Sequence, residues 1–285
     1  MLYREVAPDP RLRDLIKCFW ALEHDYRKSF HNHERLWADV YPELIFTSGE
    51  RYFRRAGSRR ITLDANLIIG PFQKELELFC DGPIRLVAAR FQPWGLRPFC
   101  KVPPARLRNC VVDCSQIWST DLRPLAKILE SLSDVETRIA KLENEILSLA
   151  AAMAKPKLLA RRLAGEIVRS EGLMRISELS GKHGIHARQL ERIFLEETGV
   201  TAKVFARIIR FNRAKKAIED DPEIDLLTLA HDCGYADQSH FTRNFREMFS
   251  VTPSRYKALV KDKDRLFRQE FADVAFVQDN PPHAG

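Results

Sequence analysis

Long apolar runs are missing from the sequence. No stretch approaches the roughly 18 consecutive apolar residues of a membrane-spanning helix. The first residues, MLYREVAPDPRLRD, lack the apolar stretch of a secretory signal, so we expect a cytoplasmic protein. The excess of one charge sign is also small, because 46 basic and 39 acidic residues leave a net charge of +7. With 45% apolar residues in a chain of 285, there is enough material for the cores of two domains.

Motifs for catalysis and metal binding are missing as well. The sequence contains no Gly-x-Ser-x-Gly, P-loop or glycine-rich dinucleotide motif. His31 and His33 have the H-x-H spacing of two metal ligands on one strand. Such a site also needs a carboxylate three to five residues further on and a later histidine, but Glu34 is adjacent to His33, residues 37 and 38 are Trp and Ala, and no histidine falls between 34 and 182. We therefore expect no enzyme, no cofactor and no metal.

The sequence also lacks cysteine motifs. The chain has six cysteines, which are Cys18, Cys80, Cys100, Cys110, Cys114 and Cys233. They form no C-x-x-C motif, and none follows proline or precedes histidine or arginine, as an alkyl-accepting thiolate would. The spacing of Cys110 and Cys114 predicts that they share one helical face. We interpret the cysteines as small apolar core residues; a cysteine-based redox or alkylation sensor is the alternative.

The N-terminal region is predicted to be rich in β-strands. Segments 43–49, 61–72 and 76–91 contain many Ile, Leu, Val and Phe residues and are separated by Gly, Pro and Asp-Gly. The turn-forming sequence at 80–83 lies between two apolar runs and predicts a hairpin. Residues 8–17 predict a short helix that leads into a strand.

After residue 120 the apolar period becomes helical. Apolar residues from Val135 to Met153 alternate at intervals of four and three, which predicts a helix with one apolar seam. This seam would pack either against its own domain or against a second copy in a dimer. Lys155-Pro156 interrupts the pattern, and helical periodicity resumes from 157 to about 261.

These patterns predict an α+β chain with four parts. A β-rich domain is expected at 1–118 and a helical connector at 119–155. An all-α domain is expected at 156–262, followed by a tail at 263–285.

An internal repeat is the strongest signal in the helical region. Arg192 and Arg243 are 51 residues apart, and so are Phe194 and Phe245. Each copy has a short amphipathic helix, a glycine turn and a longer amphipathic helix. This order is typical of the helix-turn-helix motif, whose second helix enters the major groove of DNA.

The segment between the two copies is basic. Residues 201–219 predict a helix of ~28 Å, close to the ~34 Å that separates successive major-groove faces. Residues 155–216 contain 15 Lys or Arg and 6 Asp or Glu, a surplus that suits a polyanion. A solvated helical bundle without a DNA role is the alternative. Along this helix the predicted phosphate contacts are Lys203, Arg207, Arg210, Arg213, Lys215 and Lys216.

The sequence GYADQSHFTRNFREMFSVTPSRYK at 234–257 resembles the signature of AraC/XylS-type transcription regulators. The shared pattern is Gly-aromatic, Asp-x-Ser-x-Phe-x-Arg-x-Phe and Thr-Pro-x-x-Tyr. Ser250 departs from it where glycine is usual, Lys257 where arginine is common, and Ala202 where proline is frequent. The resemblance covers about 100 residues. It implies a sequence-specific transcription regulator that binds double-stranded DNA and works with RNA polymerase.

The resemblance also implies which side chains contact DNA. Base contacts are expected from Arg188, Glu191, Arg192, Gln238, Ser239, His240, Thr242 and Arg243. Further phosphate contacts are expected from Arg246 and Lys257.

Two short motifs in the N-terminal half, at 41–46 and 91–99, are similar to a β-rich sensor domain that precedes some AraC-type regions. This similarity implies a cupin-like barrel that senses a small molecule or forms a homodimer. The aromatic residues that would line an effector pocket are Trp20, Trp37, Tyr41 and Trp94. The alternative is that these rings belong to the core.

Overall fold

The computed structural model describes residues 1–29, 32–153 and 157–270, with side chains described as far as residue 261. Ten strands occupy the N-terminal part of these ranges. They are β1 (Leu2–Val6), β2 (Ile16–Asp25), β3 (His33–Leu36), β4 (Glu43–Gly49), β5 (Phe53–Ala56), β6 (Arg59–Thr62), β7 (Asn66–Ile69), β8 (Leu76–Phe79), β9 (Pro83–Phe91) and β10 (Val111–Asp113).

The strands form two antiparallel sheets. The larger sheet has the order β1-β2-β9-β4-β7-β10, and the smaller one has the order β3-β8-β5-β6. Because successive side chains of a strand point to opposite faces, the larger sheet contributes to two cores. One face packs on the smaller sheet through Leu22, Ile45 and Leu86. The other carries Phe19 and Phe46 and packs on helices.

Three helices cover this second face: α1 (Cys114–Ile117), α2 (Arg123–Ser131) and α3 (Val135–Ala151). Val135, Ile139, Leu142 and Ile146 of α3 are buried in the core that they share with the larger sheet. The apolar seam predicted from the sequence therefore packs against its own domain. The dimer alternative is wrong for the seam from Val135 to Ile146, because these side chains are already covered.

Three local predictions in the N-terminal region are wrong. Residues 80–83 do not close a hairpin, since β8 belongs to the smaller sheet and β9 to the larger one. Residues 10–15 form turns rather than a helix. Cys110 precedes β10 whereas Cys114 begins α1, so the two do not share a helical face. Each error arises because sheet partners and chain reversals are chosen by tertiary packing rather than by the local pattern.

The C-terminal part is helical. It contains α4 (Leu158–Arg169), α5 (Ile176–Lys182), α6 (Ala187–Thr198), α7 (Ala202–Asp220), α8 (Leu226–Asp232), α9 (Gln238–Phe249) and α10 (Pro253–Glu270). The predicted α+β class, with a β-rich N-terminal region and a helical C-terminal region, is confirmed. Within the described ranges, no ladder joins the two sheets into one closed barrel.

The structure tests one of the two boundaries expected for the helical domain. α10 continues to Glu270, past the domain end expected at 262. The boundary at Lys155-Pro156 and the tail from 271 onward lie outside the described residues. None of the described helices is long and apolar enough to cross a membrane.

Candidate nucleic-acid interface

Two helix-turn-helix units follow each other in the chain. The first consists of α5 and α6, and the second of α8 and α9. A glycine turns the chain after each short helix, with φ of 61° at Gly184 and 73° at Gly234. This left-handed backbone favours glycine, which has no Cβ to clash. The repeat predicted from the sequence is therefore present as two similar helix pairs, joined by the 19 residues of α7.

A row of phenylalanine rings holds α9 in the second unit. Phe241, Phe245 and Phe249 are each at most 1% exposed. The Phe245 and Phe249 ring centroids are 4.7 Å apart, and both rings contact Phe211 of α7. Burial of one face of α9 fixes which side chains the opposite face presents. The first turn is also capped, because Asp237 accepts a hydrogen bond from the backbone N–H of His240 at 2.7 Å.

The open face of α9 forms a shallow groove. Most of the predicted DNA contacts of this helix line it together: Gln238, Ser239, Thr242, Arg243 and Arg246. His240 lies apart from them, with its ring 5.3 Å from that of Tyr235. Glu247 and Thr252 also line the groove, although neither was predicted to contact DNA. The four-residue interval from Arg243 to Glu247 would have indicated the first of these.

In the first unit, Arg188 and Arg192 are exposed on α6, and Glu191 is half-buried. Arg192 lies 4.0 Å from Glu196, one turn further along the same helix. Neither arginine is covered by the N-terminal domain, since both belong to the exposed residues. Each unit thus presents an exposed arginine at the equivalent position of its second helix, Arg192 in one and Arg243 in the other.

The predicted phosphate contacts have different surroundings. Lys203 and Arg246 are exposed. Arg207 forms an ion pair with Glu247 at 3.4 Å, and the Arg210 guanidinium lies 5.6 Å from the Tyr235 ring. Lys257 donates a hydrogen bond to the carbonyl of Ile224 at 2.6 Å, so its ammonium group already has a protein partner. Of the other cations on α7, Arg213 lies 3.0 Å from Glu171, and Lys215 and Lys216 pair with acids one turn further along.

The helical region is similar in sequence to known transcription factors. A family model described as a helix-turn-helix domain matches residues 179–258, which include both units except the first three residues of α5. The probable transcription factor PqrA of Proteus vulgaris is 30% identical over 95 residues, covering 33% of this chain and 76% of PqrA. The chain belongs to the AraC/XylS-type family of transcription regulators.

Two other likenesses are more limited. The HTH-type transcriptional activator RhaS of Pectobacterium carotovorum is 28% identical over 87 residues, so the chain spans only 31% of the length of that relative and RhaS matches 30% of the chain. A solved structure of ToxT from Vibrio cholerae has a TM-score of 0.48 and 13% identity, covering 84% of this chain and 98% of ToxT. Residues 4–113 match a domain of unknown function (DUF6597).

The N-terminal domain of this AraC/XylS-type chain contacts the second helix-turn-helix unit through Trp37. The Trp37 ring centroid is 4.4 Å from that of Phe249 and 5.5 Å from that of Tyr256, in edge-to-face geometry. Tyr256 in turn donates a hydrogen bond to Glu219 of α7 at 2.5 Å. A ring from the N-terminal domain is therefore part of the core of the second unit.

The same domain contacts the first unit. A short 3-10 helix, Pro104–Leu107, packs against α6. Gly199, at the end of α6, approaches it so closely that a Cβ there would lie 2.7 Å from the Pro104 carbonyl oxygen. An ion pair between Asp14 and Arg161 adds a contact to α4, which precedes the first unit. The N-terminal domain thus bridges the two units.

The four aromatic residues expected to line an effector pocket are not together. Trp37, Tyr41 and Trp94 pack against the core of the helical domain. Trp20 lies instead on the core between the two sheets, 6.1 Å from the Tyr3 ring. The predicted four-residue pocket is therefore not formed, because β2 and the 37–41 segment face different cores. His31 lies outside the described residues.

Four of the buried cysteines lie in surroundings that disfavour the thiolate. Burial raises the pKa of Cys18, Cys100 and Cys114 to about 12, and that of Cys233 to about 11. A thiol that stays protonated at neutral pH is a poor nucleophile. The structure gives no support to the cysteine-sensor alternative.

Proposed function

We propose that the chain is a sequence-specific transcription regulator that binds double-stranded DNA with α6 and α9. The observation that carries this proposal is the exposed arginine at the equivalent position of both helices, Arg192 and Arg243, in each case opposite a buried apolar face. An α-helix fits the major groove, and arginine can donate two hydrogen bonds to one guanine. The outward residues that differ between the helices, Arg188 and Ser239, would give the two contacts different base preferences.

The predicted base contacts are part of this proposal. On α6 they are Arg188, Glu191 and Arg192; on α9 they are Gln238, Ser239, His240, Thr242 and Arg243. Phosphate contacts are assigned to Lys203, Arg207, Arg210, Arg246 and Lys257. The groove on α9 supports the assignment for that helix, because it gathers five of these side chains on one concave face. The arrangement suits one helix in each of two successive major-groove segments.

The N-terminal domain is assigned the regulatory part of the function. We infer that it senses a small molecule or forms a homodimer, and that RNA polymerase is a further partner. Its contacts to both helix-turn-helix units support this role, since a change in the domain would alter how the two units are held. We infer that the chain acts on chromosomal DNA in the cytoplasm and that it catalyses no reaction.

The experiment starts by selecting genomic DNA fragments with the purified chain and sequencing them. Arg243→Ala is then expected to weaken binding to the selected site by about 1–3 kcal/mol, because a bidentate base contact is lost. Its affinity for random duplex is expected to change much less. Fluorescence anisotropy titrations on both duplexes measure the difference.

Arg162→Ala is the matched control, because Arg162 is an exposed arginine on α4, outside both units. It removes the same charge and is expected to leave the preference for the selected site unchanged. Equal losses on selected and random duplex from Arg243→Ala would show that Arg243 touches phosphate only. Failure of the chain to enrich any fragment would contradict the proposed function itself.

A further inference from the structure

A hairpin of the N-terminal domain is unusually rich in arginine. Residues 51–62, RYFRRAGSRRIT, contain five arginines and no acidic residue. They include β5, the turn at 57–58 and β6. We call this segment the arginine hairpin, and its basic residues are Arg51, Arg54, Arg55, Arg59 and Arg60.

The arginine hairpin is accessible. β6 is the edge strand of the smaller sheet, and all four of its residues are exposed. Among the described residues, one carboxylate forms an ion pair with the hairpin. It is that of Asp81, which lies 2.5 Å from Arg60. Elsewhere in the domain Arg27 and Arg90 each pair with an acid at less than 3 Å. The hairpin thus carries a positive charge that the protein itself leaves largely uncompensated.

Aromatic rings hold two of these guanidinium groups in place. The Arg60 guanidinium lies 3.7 Å from the Phe53 ring centroid, and that of Arg55 lies 4.4 Å from the Phe79 ring centroid. Such cation–π contacts restrict the side chain while its N–H donors stay available. In Arg54 the Nε atom is buried without a hydrogen-bond partner. The guanidinium groups of Arg55 and Arg60 are therefore partly ordered before any partner arrives.

The strand register places like charges opposite each other. Arg55 pairs with Arg60 across the two strands, and like charges in that position destabilise a sheet. A charged edge does protect against aggregation, but charges of mixed sign would do so without this repulsion. An anion bound to the hairpin would lower the repulsion, which indicates a polyanionic partner.

The hairpin belongs to the same sheet as the strand that leads to the second helix-turn-helix unit. β3 leads directly to Trp37, which contacts Phe249 at the end of α9. From β3 to β6 there are three strand spacings, or ~14 Å, and from Leu76 to Phe79 there are about 10 Å along the strand. Within the smaller sheet, the hairpin therefore begins within about 20 Å of Leu36, the residue before Trp37.

We propose that the arginine hairpin binds the phosphate backbone of DNA that flanks the site held by α6 and α9. This inference rests on the proposed function, because the duplex must first be bound by the helices. Planar guanidinium groups match phosphate geometry, and duplex DNA presents one charge per ~1.7 Å of its axis. The contact carries no sequence information and extends the bound length of DNA.

The test compares two duplexes, one limited to the selected site and one extended by about 20 base pairs on each side, or about 68 Å. The variant combines Arg55→Gln with Arg59→Gln and keeps Arg60 with its partner Asp81. On the long duplex, the slope of log affinity against log salt is expected to fall by about 2, since each phosphate contact contributes about 0.9. On the short duplex, wild type and variant are expected to bind alike.

The control combines Arg13→Gln with Lys28→Gln, which removes two exposed charges from the same domain outside the hairpin. It is expected to keep the wild-type slope on both duplexes. A second variant, Arg55→Lys with Arg59→Lys, is expected to restore most of the slope, because charge rather than shape dominates it. Thermal unfolding of each variant checks that the fold is intact.

Three results would overturn the proposal. They are an unchanged slope for the glutamine variant on the long duplex, equal losses on both duplexes, and a wild-type affinity that does not depend on duplex length. A glutamine variant that binds the long duplex normally but fails to activate transcription would also overturn it, since the hairpin would then serve a protein partner. Failure of the wild type to bind any duplex would instead contradict the proposed function.

Discussion

Ser250 ends α9 in a left-handed backbone conformation, with φ of 59°. A residue with a Cβ pays about 1–2 kcal/mol for this conformation, whereas glycine adopts it freely. Gly199 occupies the equivalent end of α6 with φ of 81°. Part of the gain from glycine is lost to the greater freedom of the unfolded chain. We expect Ser250→Gly to raise the free energy of unfolding by about 1 kcal/mol in urea titrations.

Ser254→Gly is the comparison for this prediction, because Ser254 lies in the first turn of α10, where the backbone is helical. Glycine lowers stability in a helical conformation, so the two substitutions are expected to act in opposite directions. If Ser250→Gly destabilised the chain as Ser254→Gly does, the end of α9 would not be strained.

At the same scale, the cysteines predict a pattern of chemical labelling. Cys110 is half-buried, and the other five are buried. Because burial keeps Cys18 and Cys233 protonated at neutral pH, their reaction with a disulfide reagent requires opening of the fold. We expect one thiol to react rapidly, and Cys110→Ser to abolish that phase. Rapid labelling of Cys18 or Cys233 in the folded chain would restore the cysteine-sensor alternative.

Among the elements, α4 is tied to α5 by an acid. Glu166 lies 3.0 Å from the Lys182 ammonium and 2.9 Å from the His183 ring. The hydrogen bond from Lys182, followed by that from His183, lowers the pKa of the Glu166 carboxyl. A lowered folded-state pKa means that this stabilisation is present above the unfolded value of about 4.3 and is lost as the pH falls through the folded value.

We therefore expect the free energy of unfolding of the wild type to decrease between about pH 5 and pH 3. In Glu166→Gln this decrease is expected to be smaller, because the side chain no longer titrates. Chemical denaturation at several pH values measures both curves. Parallel curves for the two proteins would show that the ion pairs of Glu166 add nothing to the fold.

The elements also show what the sequence could predict. Both helix-turn-helix units were predictable because the helical period is a local pattern and the repeat can be read directly from the sequence. The predicted 201–219 helix is found as α7. The partner of a strand depends on distant residues, so the hairpin at 80–83 was predicted wrongly. Arg138 shows the same limit. It lies between seam residues of α3, yet it is fully buried, 3.4 Å from Glu23, because β2 and β9 both pack against this helix and cover a wider face than the seam.

On the scale of the whole molecule, the contact of Trp37 with the second unit had no signal in the sequence. A tryptophan in a β-rich domain predicts a core residue of that domain, and nothing in 37–41 indicates Phe249 as its neighbour. Together with the approach of Gly199 to Pro104, this contact makes the N-terminal domain a second connection between the two helix-turn-helix units, in addition to α7. The predicted base contacts could be proposed from the sequence, but how the units are held could not.

Removing the Trp37 ring tests this connection. Trp37→Ala deletes the edge-to-face contacts with Phe249 and Tyr256, which are worth about 0.5–1.5 kcal/mol each beyond the area they bury. We expect the N-terminal and helical domains to unfold in separate thermal transitions and the radius of gyration in X-ray scattering to increase. Trp20→Ala is the matched control, because Trp20 is also half-buried but lies against Tyr3, away from the helical domain. It is expected to lower the stability of the N-terminal domain without separating the transitions. If Trp37→Ala kept one transition and the wild-type radius, the contacts at Gly199 and Arg161 would suffice to hold the domains together.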